Sequence, residues 1–303
     1  MTGRVVVVGD ALIDELRDDN GVREFVGGAA LNVAVGLARL GAPASLVAMI
    51  GDDEAGERIR AYLADFGVDL LPTISPYGSA RAVSTRSAGG EPVYEFNKAA
   101  WERRIRYGDE VAAAMADAAL VAVSCVRFDD TEQTVELAAA IGPTKLAIDP
   151  NPRTGMLHDR HVFREGFEAL AARADLVKVG EDDAHLLYEE PLDVLRTRLV
   201  DLGAGAVLAT YGSNGAAIDV GRETVTRPVS DLPGRIIDTM GAGDAAFAAT
   251  IAAVLENPPR TRDDWSDVLE KAMDAAAATC RFEGALLRLP SSLQGMDLDR
   301  LGT

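Results

Sequence analysis

The 303 residues are 48% apolar, 26% charged and 5% aromatic, an ordinary globular composition that excludes collagen-like, low-complexity and disordered chains. Forty-eight acidic residues against 30 basic ones give a formal charge of −18, and the four lysines (Lys98, Lys145, Lys178, Lys271) are scattered, so the basic footprint of a nucleic-acid binder is missing. No run approaches the roughly 18 apolar residues of a membrane span or signal core; the expectation is a cytoplasmic chain with no nucleic-acid or membrane partner.

In chain order, Val5–Val8 is a continuous β-branched run, the pattern of a strand buried on both faces. Ala30–Leu40 carries apolar residues at helical spacing and stops at Gly41-Ala42-Pro43. Ser45–Ile50 reads as a second buried strand and Glu54–Phe66 as a helix closed by Gly67. Residues 70–106 break the rhythm: Arg81–Ser87 and Pro92–Asn97 flank the glycine-bearing loop Ala88-Gly89-Gly90-Glu91. With Leu12–Leu16 and Val22–Val26 around Asp19-Asn20-Gly21, they are expected to form a small antiparallel sheet inserted in two pieces, suited to a lid. Strands follow at Leu120–Ser124, Lys145–Ile148, Leu176–Val179 and Ala206–Thr210, with helices near 109–118, 131–141, 160–173 and 192–202. Two alanine-rich helices, Ala242–Leu255 and Trp265–Phe282, close the chain, and the tail after Gln294 is expected to fray. Strands alternating with helices of 10–15 residues predict a three-layer α/β/α sandwich around a mostly parallel sheet. The whole of 1–303 reads as one domain, with a discontinuous lid from about 11–26 and 70–106. Cys125 and Cys280 are too few for a disulfide framework and read as reduced buried thiols.

The most informative stretch is Asp238-Thr239-Met240-Gly241-Ala242-Gly243-Asp244, running into a helix of small residues. Two glycines around an alanine permit a tight turn, and free amides at a helix start make a site for a phosphate or developing oxyanion. Asp244 beside it fits a base that takes a hydroxyl proton during phosphoryl transfer, or simply a helix cap. Gly241, Gly243 and Ala246 also fit the dinucleotide fingerprint G-x-G-x-x-A, but that belongs in a first βαβ unit and here a second helix follows. Gly27-Gly28-Ala29-Ala30-Leu31-Asn32 pairs glycines before a helix with an amide able to hold a hydroxyl; a packing role is the alternative.

Together these two stretches resemble the signatures of the ribokinase-like (PfkB) sugar kinases, and the resemblance covers nearly the whole chain. The wording of Gly27–Gly41, of Gly9-Asp10-Ala11-Leu12-Ile13-Asp14 and of Asp149-Pro150-Asn151-Pro152-Arg153 looks most like the fructokinase branch. The resemblance implies ATP-dependent phosphorylation of a sugar hydroxyl, with Asp244 as base and the amides of Ala242, Gly243 and Asp244 as anion hole after the Gly241 turn. It places Asp10, Asp14, Gly27, Gly28 and Asn32 at the sugar. Thr210-Tyr211-Gly212-Ser213-Asn214-Gly215 matches the family's T-x-G-x-x-G turn, so Thr210, Gly212 and Gly215 are implied at the nucleotide, with Lys178 and Asp238. The implied cofactors are ATP and Mg2+, with K+ near Asp238. The family's Asn-x-x-Glu falls on Gly180-Glu181-Asp182-Asp183, leaving Asp183 as the implied metal contact, and Asn97-Lys98 stand where fructokinases commonly carry an arginine. A homodimer through the lid sheets is also implied. Other substrates of the same family (2-keto-3-deoxygluconate, ribose or a nucleoside) remain open, and a non-catalytic sensor of the same fold is the rival from another class.

Several look-alikes lack their context. Asp65-Phe66-Gly67 spells the protein-kinase D-F-G without its companion motifs, and no P-loop is present. His158 and His161 have no third ligand nearby and read as surface residues. Asp129-Asp130 and Asp263-Asp264 read as solvated faces or helix-start charges.

Overall fold

The structure, a computed structural model, describes residues 3–18, 21–85 and 93–294. Strand β1 (Val5–Gly9) leads into the hairpin β2 (Leu12–Asp18) and β3 (Gly21–Gly27), then α1 (Ala29–Arg39), β4 (Ala44–Ile50), α2 (Glu54–Asp65) and β5 (Asp69–Ile74). A second hairpin, β6 (Ala80–Thr85) and β7 (Val93–Phe96), precedes the one-turn α3 (Lys98–Trp101) and α4 (Asp109–Ala116). The middle of the chain alternates β8 (Leu120–Ser124), α5 (Thr131–Ile141), β9 (Leu146–Asp149), α6 (Arg160–Ala171), β10 (Leu176–Gly180), α7 (Glu181–Tyr188), α8 (Leu192–Leu202) and β11 (Val207–Thr210). The hairpin β12 (Ala216–Val220) and β13 (Glu223–Arg227) is followed by α9 (Ala242–Glu256) and α10 (Arg262–Thr279).

The main sheet runs β13-β12-β11-β10-β9-β8-β1-β4-β5, parallel from β11 to β5, with the last hairpin antiparallel at one edge. The valines of β1 explain its two covered faces. Val5 and Val7 pack with α1, α9 and α10, whereas Val6 and Val8 pack with residues of α4, α5, α6 and α8. Such alternation leaves no polar face, as a central parallel strand requires. Helix α9 is apolar almost all round and correspondingly buried, from Asp244 to Ile251 without a break.

The two hairpins form the second sheet, in order β3-β2-β6-β7. Each hairpin is antiparallel, and the seam joining them, β2 to β6, is parallel. Residues 69–74 do not belong to this lid: β5 pairs in parallel with β4 at the edge of the main sheet, so the second lid segment starts at Ala80 rather than 70. The loop tip 88–91, the turn residues 19–20 and the tail after Gln294 lie outside the described residues. Cys125 is buried as expected, but Cys280 is only half-buried at the end of α10. Asp130 and Asp264 serve the starts of α5 and α10, whereas the Asp129 side chain is turned inward, against the reading of a solvated face. Among the described residues no helix is long and apolar enough to cross a membrane.

This topology places the site. Strand order reverses at β1, which sends the chain to β4 and β5 on one side and receives β8 and β9 on the other. In open α/β sheets the crevice beyond the carboxyl ends of the strands at such a reversal receives ligands. Asp10 leaves β1 there, Cys125 leaves β8, Asp149 ends β9, and Lys178 and Gly180 close β10.

Candidate active site

Two motifs 212 residues apart meet in one hydrogen bond: Asn32 Nδ2, on the first turn of α1, donates to Asp244 Oδ2, on the first turn of α9, at 2.8 Å. This contact speaks against the helix-cap reading of Asp244. The carboxylate accepts from a side chain of another helix and makes no capping bond to its own; Gly241 is the N-cap. Burial pushes the Asp244 carboxyl above its ordinary range, while the Asn32 amide and the Lys178 and Arg153 charges work the other way.

Gly241 has φ +75°, and a Cβ there would sit 2.6 Å from that of Ala285, so only glycine makes this turn without displacing the neighbouring loop. The turn is held from below by Asp238, whose Oδ1 accepts from Met240 N at 3.1 Å and whose Oδ2 accepts from Gly284 N at 3.1 Å. Of the three amides expected to form the anion hole, that of Ala242 donates to the Thr239 carbonyl at 3.3 Å. The amides of Gly243 and Asp244 have no partner among the described residues and remain the free donors at the dipole's positive end.

Lys178 approaches this turn from β10. Its ammonium lies 3.2 Å from where a Cβ on Gly243 would stand, and pairs with Asp149 Oδ2 at 3.0 Å. Burial alone would drive the lysine neutral; Asp149, Asp183 and Asp244 outweigh it and hold its pKa above the ordinary value. Asp183 is buried, accepts from Gly180 N at 2.6 Å and is pushed up to about 6, chiefly by burial. Thr210 pairs with Gly180 across β10 and β11, and Gly212 to Gly215 form the bend leading into β12, so the residues expected at the nucleotide share one edge of the crevice.

On the lid side, Gly28 has φ +112°, and a Cβ there would lie 2.8 Å from the Asp10 carbonyl, so this approach again requires glycine. Gly27 ends β3 directly against the Asp14 carboxyl. Asp10, expected at the sugar, is drawn partly into the scaffold: its Oδ1 accepts from Ala30 N at 3.0 Å at the start of α1. Burial raises the Asp10 carboxyl.

Asp14 is pushed up to about 7, first by burial and then by the neighbouring Asp10 carboxyl. A proton held more tightly folded than unfolded, near 3.8, means that stability falls as pH rises between about 4 and 7 and then levels off. Asp14→Asn is therefore expected to stabilise the chain at pH 8, on the order of 2 kcal/mol once the shift is halved for solvent screening. The gain fades toward pH 4. Melting curves from pH 4 to 8 check this, and a pH-independent difference would reject it.

Arg153 is a charged residue that the motifs left out of the candidate site. It sits just beyond β9, after Asn151 with φ +40°, and its charge acts on Asp10, Asp14, Asp149, Asp183 and Asp244 together. Against desolvation, Cys125 and the Asp244, Asp183 and Asp10 carboxyls in turn hold its own pKa above the ordinary value. The run Asp149-Pro150-Asn151-Pro152-Arg153 was its available signal.

A buried carboxylate beside free amides at a helix start, a lysine over the same turn and a lid across the crevice define a phosphotransferase acting on an alcohol. The family description "pfkB family carbohydrate kinase" matches residues 2–291, and the chain belongs to that family. An ATP-dependent 6-phosphofructokinase of Thermoanaerobacterium thermosaccharolyticum is 26% identical over 94% of this chain and 90% of its own. A fructokinase of Rhizobium leguminosarum bv. trifolii is 28% identical over 96% of this chain and 91% of its own. In fold, a fructokinase from Xylella fastidiosa with bound ATP superposes with a TM-score of 0.79 at 20% identity, covering 94% of each chain. The protein is a carbohydrate kinase.

Proposed function

We propose that this kinase phosphorylates a hydroxyl of a small ketose, with fructose the first candidate, as the relatives named fructokinase and 6-phosphofructokinase suggest. The observation that carries the mechanism is the Asn32–Asp244 hydrogen bond beside two unpartnered helix amides. Asp14, Gly27, Gly28 and Asn32 hold the sugar beneath the lid. Asp244 takes the proton of the attacking hydroxyl as its oxygen bonds to the terminal phosphorus of ATP. The bond from that phosphorus to the bridging oxygen breaks, and ADP leaves. The Gly243 and Asp244 amides and Lys178 stabilise charge on the transferring group. Lid closure excludes water, the competing acceptor. The whole chain acts as one kinase domain, with Thr210, Gly212 and Gly215 along the nucleotide.

Among the described residues no cluster of three acid, histidine or cysteine side chains stands ready for a resident metal. Mg2+ arriving with ATP needs only one or two carboxylates, and buried Asp149 and Asp183 fit that need. Bound there, it would neutralise phosphate charge. Each oxygen of Asp238 accepts one backbone amide, which leaves each a lone pair for a monovalent cation.

One observation favours a second reading. Arg153, whose positive charge bears on Asp10, Asp14, Asp149, Asp183 and Asp244, also suits a sugar bearing a carboxylate or phosphate. A panel of fructose, fructose 6-phosphate, 2-keto-3-deoxygluconate, ribose and a nucleoside, followed by ADP release, tests both. Fructose is expected to give the highest kcat/KM. A clear preference for an acidic member would replace it with the second reading, and a preference for ribose or the nucleoside would overturn both.

A further inference from the structure

Arg103 follows α3 in the run Glu102-Arg103-Arg104, which reads as surface charge, yet it is only 9% exposed. Its Nε donates to the Cys125 carbonyl at 3.3 Å, and its Nη1 to the carbonyls of Ala100 and Met156, each at 3.2 Å. One guanidinium thus ties the lid's helical anchor, the exit of β8 and the loop after Arg153. The second terminal nitrogen, Nη2, has no hydrogen-bond partner among the described residues, and no carboxylate stands within ion-pair distance of the group.

Arg103 lines a cavity at the seam between lid and body, bounded by Leu12 and Ala80 on the lid side and by Asp10 and Cys125 at the strand exits. Two further unmet donors line it. Gln133 is 3% exposed; its Oε1 accepts from Ile105 N at 2.7 Å, but its Nε2 is buried without a partner. Arg127 Nε is buried without a hydrogen bond, its guanidinium standing 3.7 Å from both Asp129 Oδ1 and Glu102 Oε2. Asp10 is the one carboxyl on the wall, and it already accepts from Ala30 N.

The donor set is one-sided. The Arg103 guanidinium carries a positive charge, and the one carboxyl on the wall, Asp10, bears on it only from beyond ion-pair distance, so that charge is incompletely met in a buried place. A water would accept two of the donors and supply no charge. The cavity of about 20 Å³ has room for one such small guest and none for a sugar or phosphate. We propose that this cavity binds one small monovalent anion of halide size, held by Arg103, Gln133 and Arg127, which locks the lid's anchor to the floor of the site.

The test needs no knowledge of the sugar. Melting of the whole chain is compared in chloride, bromide and the bulkier gluconate at equal ionic strength. The wild type is expected to melt about 2–4 °C higher in the halides. Gln133→Leu and Arg103→Met are expected to lose that difference, and should Arg103→Met fail to fold, Gln133→Leu carries the comparison. Crystals grown in bromide are expected to show anomalous scattering between Arg103 Nη2 and Gln133 Nε2. Equal melting in all three salts, or a halide effect undiminished in Gln133→Leu, would overturn the proposal. So would a water in place of bromine, whatever the melting curves show.

Discussion

Asp244→Asn is expected to lower kcat by about 10²–10⁴, the usual contribution of a positioned general base, or roughly 3–5 kcal/mol of barrier. The substitution is nearly isosteric, and the new amide still offers an oxygen to Asn32 Nδ2, so the 2.8 Å contact between α1 and α9 survives. Because burial already holds the Asp244 carboxyl above its ordinary range, a neutral residue there removes a cost to the fold. The variant should therefore melt no lower than the wild type at neutral pH while losing turnover. ATP and sugar affinities, measured by calorimetry, should stay within a few-fold. Near-normal kcat in a folded variant would remove Asp244 from the chemistry.

Gly243→Val is the second large effect. A lone Cβ at this position already stands 3.2 Å from Lys178 Nζ, so two further methyl groups displace the lysine and occupy the volume in front of the free amides. Losing one such donor typically costs about 10²–10³ in rate, and here donor access and lysine position go together. The expected loss is about 10³-fold in single-turnover phosphoryl transfer, with sugar binding at Asp14 and Asn32 retained. The helix itself should survive, since valine costs the helix well under 1 kcal/mol more than alanine. Transfer at the wild-type rate would place the anion hole elsewhere.

The elements that local pattern located best are those whose burial is uniform or whose caps are explicit. Leu120–Ser124 is buried throughout, and α5 and α8 are bounded by Asp130 and Gly203, so their limits coincide with the reading. Helix α7 escaped because it opens on Glu181-Asp182-Asp183, acids that serve the dipole and the site rather than an apolar stripe. The hairpin β12–β13 escaped because its strands are five residues each around one tight turn at Gly221. Strand β5 was absorbed into the lid because its half-exposed edge position weakens the alternation.

Within the site, residues held in motifs were readable and residues held by geometry were not. Asp244, Asn32 and the Gly241 turn announce themselves through glycines that no other residue replaces. Arg153 and Arg103 look like ordinary surface charges in the chain, and only the tertiary structure brings the charge of one to bear on the carboxyls and buries the other. The chain by itself determined the layers and the glycine turns that open α1 and α9, since periodicity and glycine placement are local properties of the backbone. The tertiary structure alone decided which amides stay free, that Asp10 partly serves α1, and how five carboxyls share the charges of Lys178 and Arg153. Those outcomes depend on distances between elements far apart in sequence, and no local pattern encodes them.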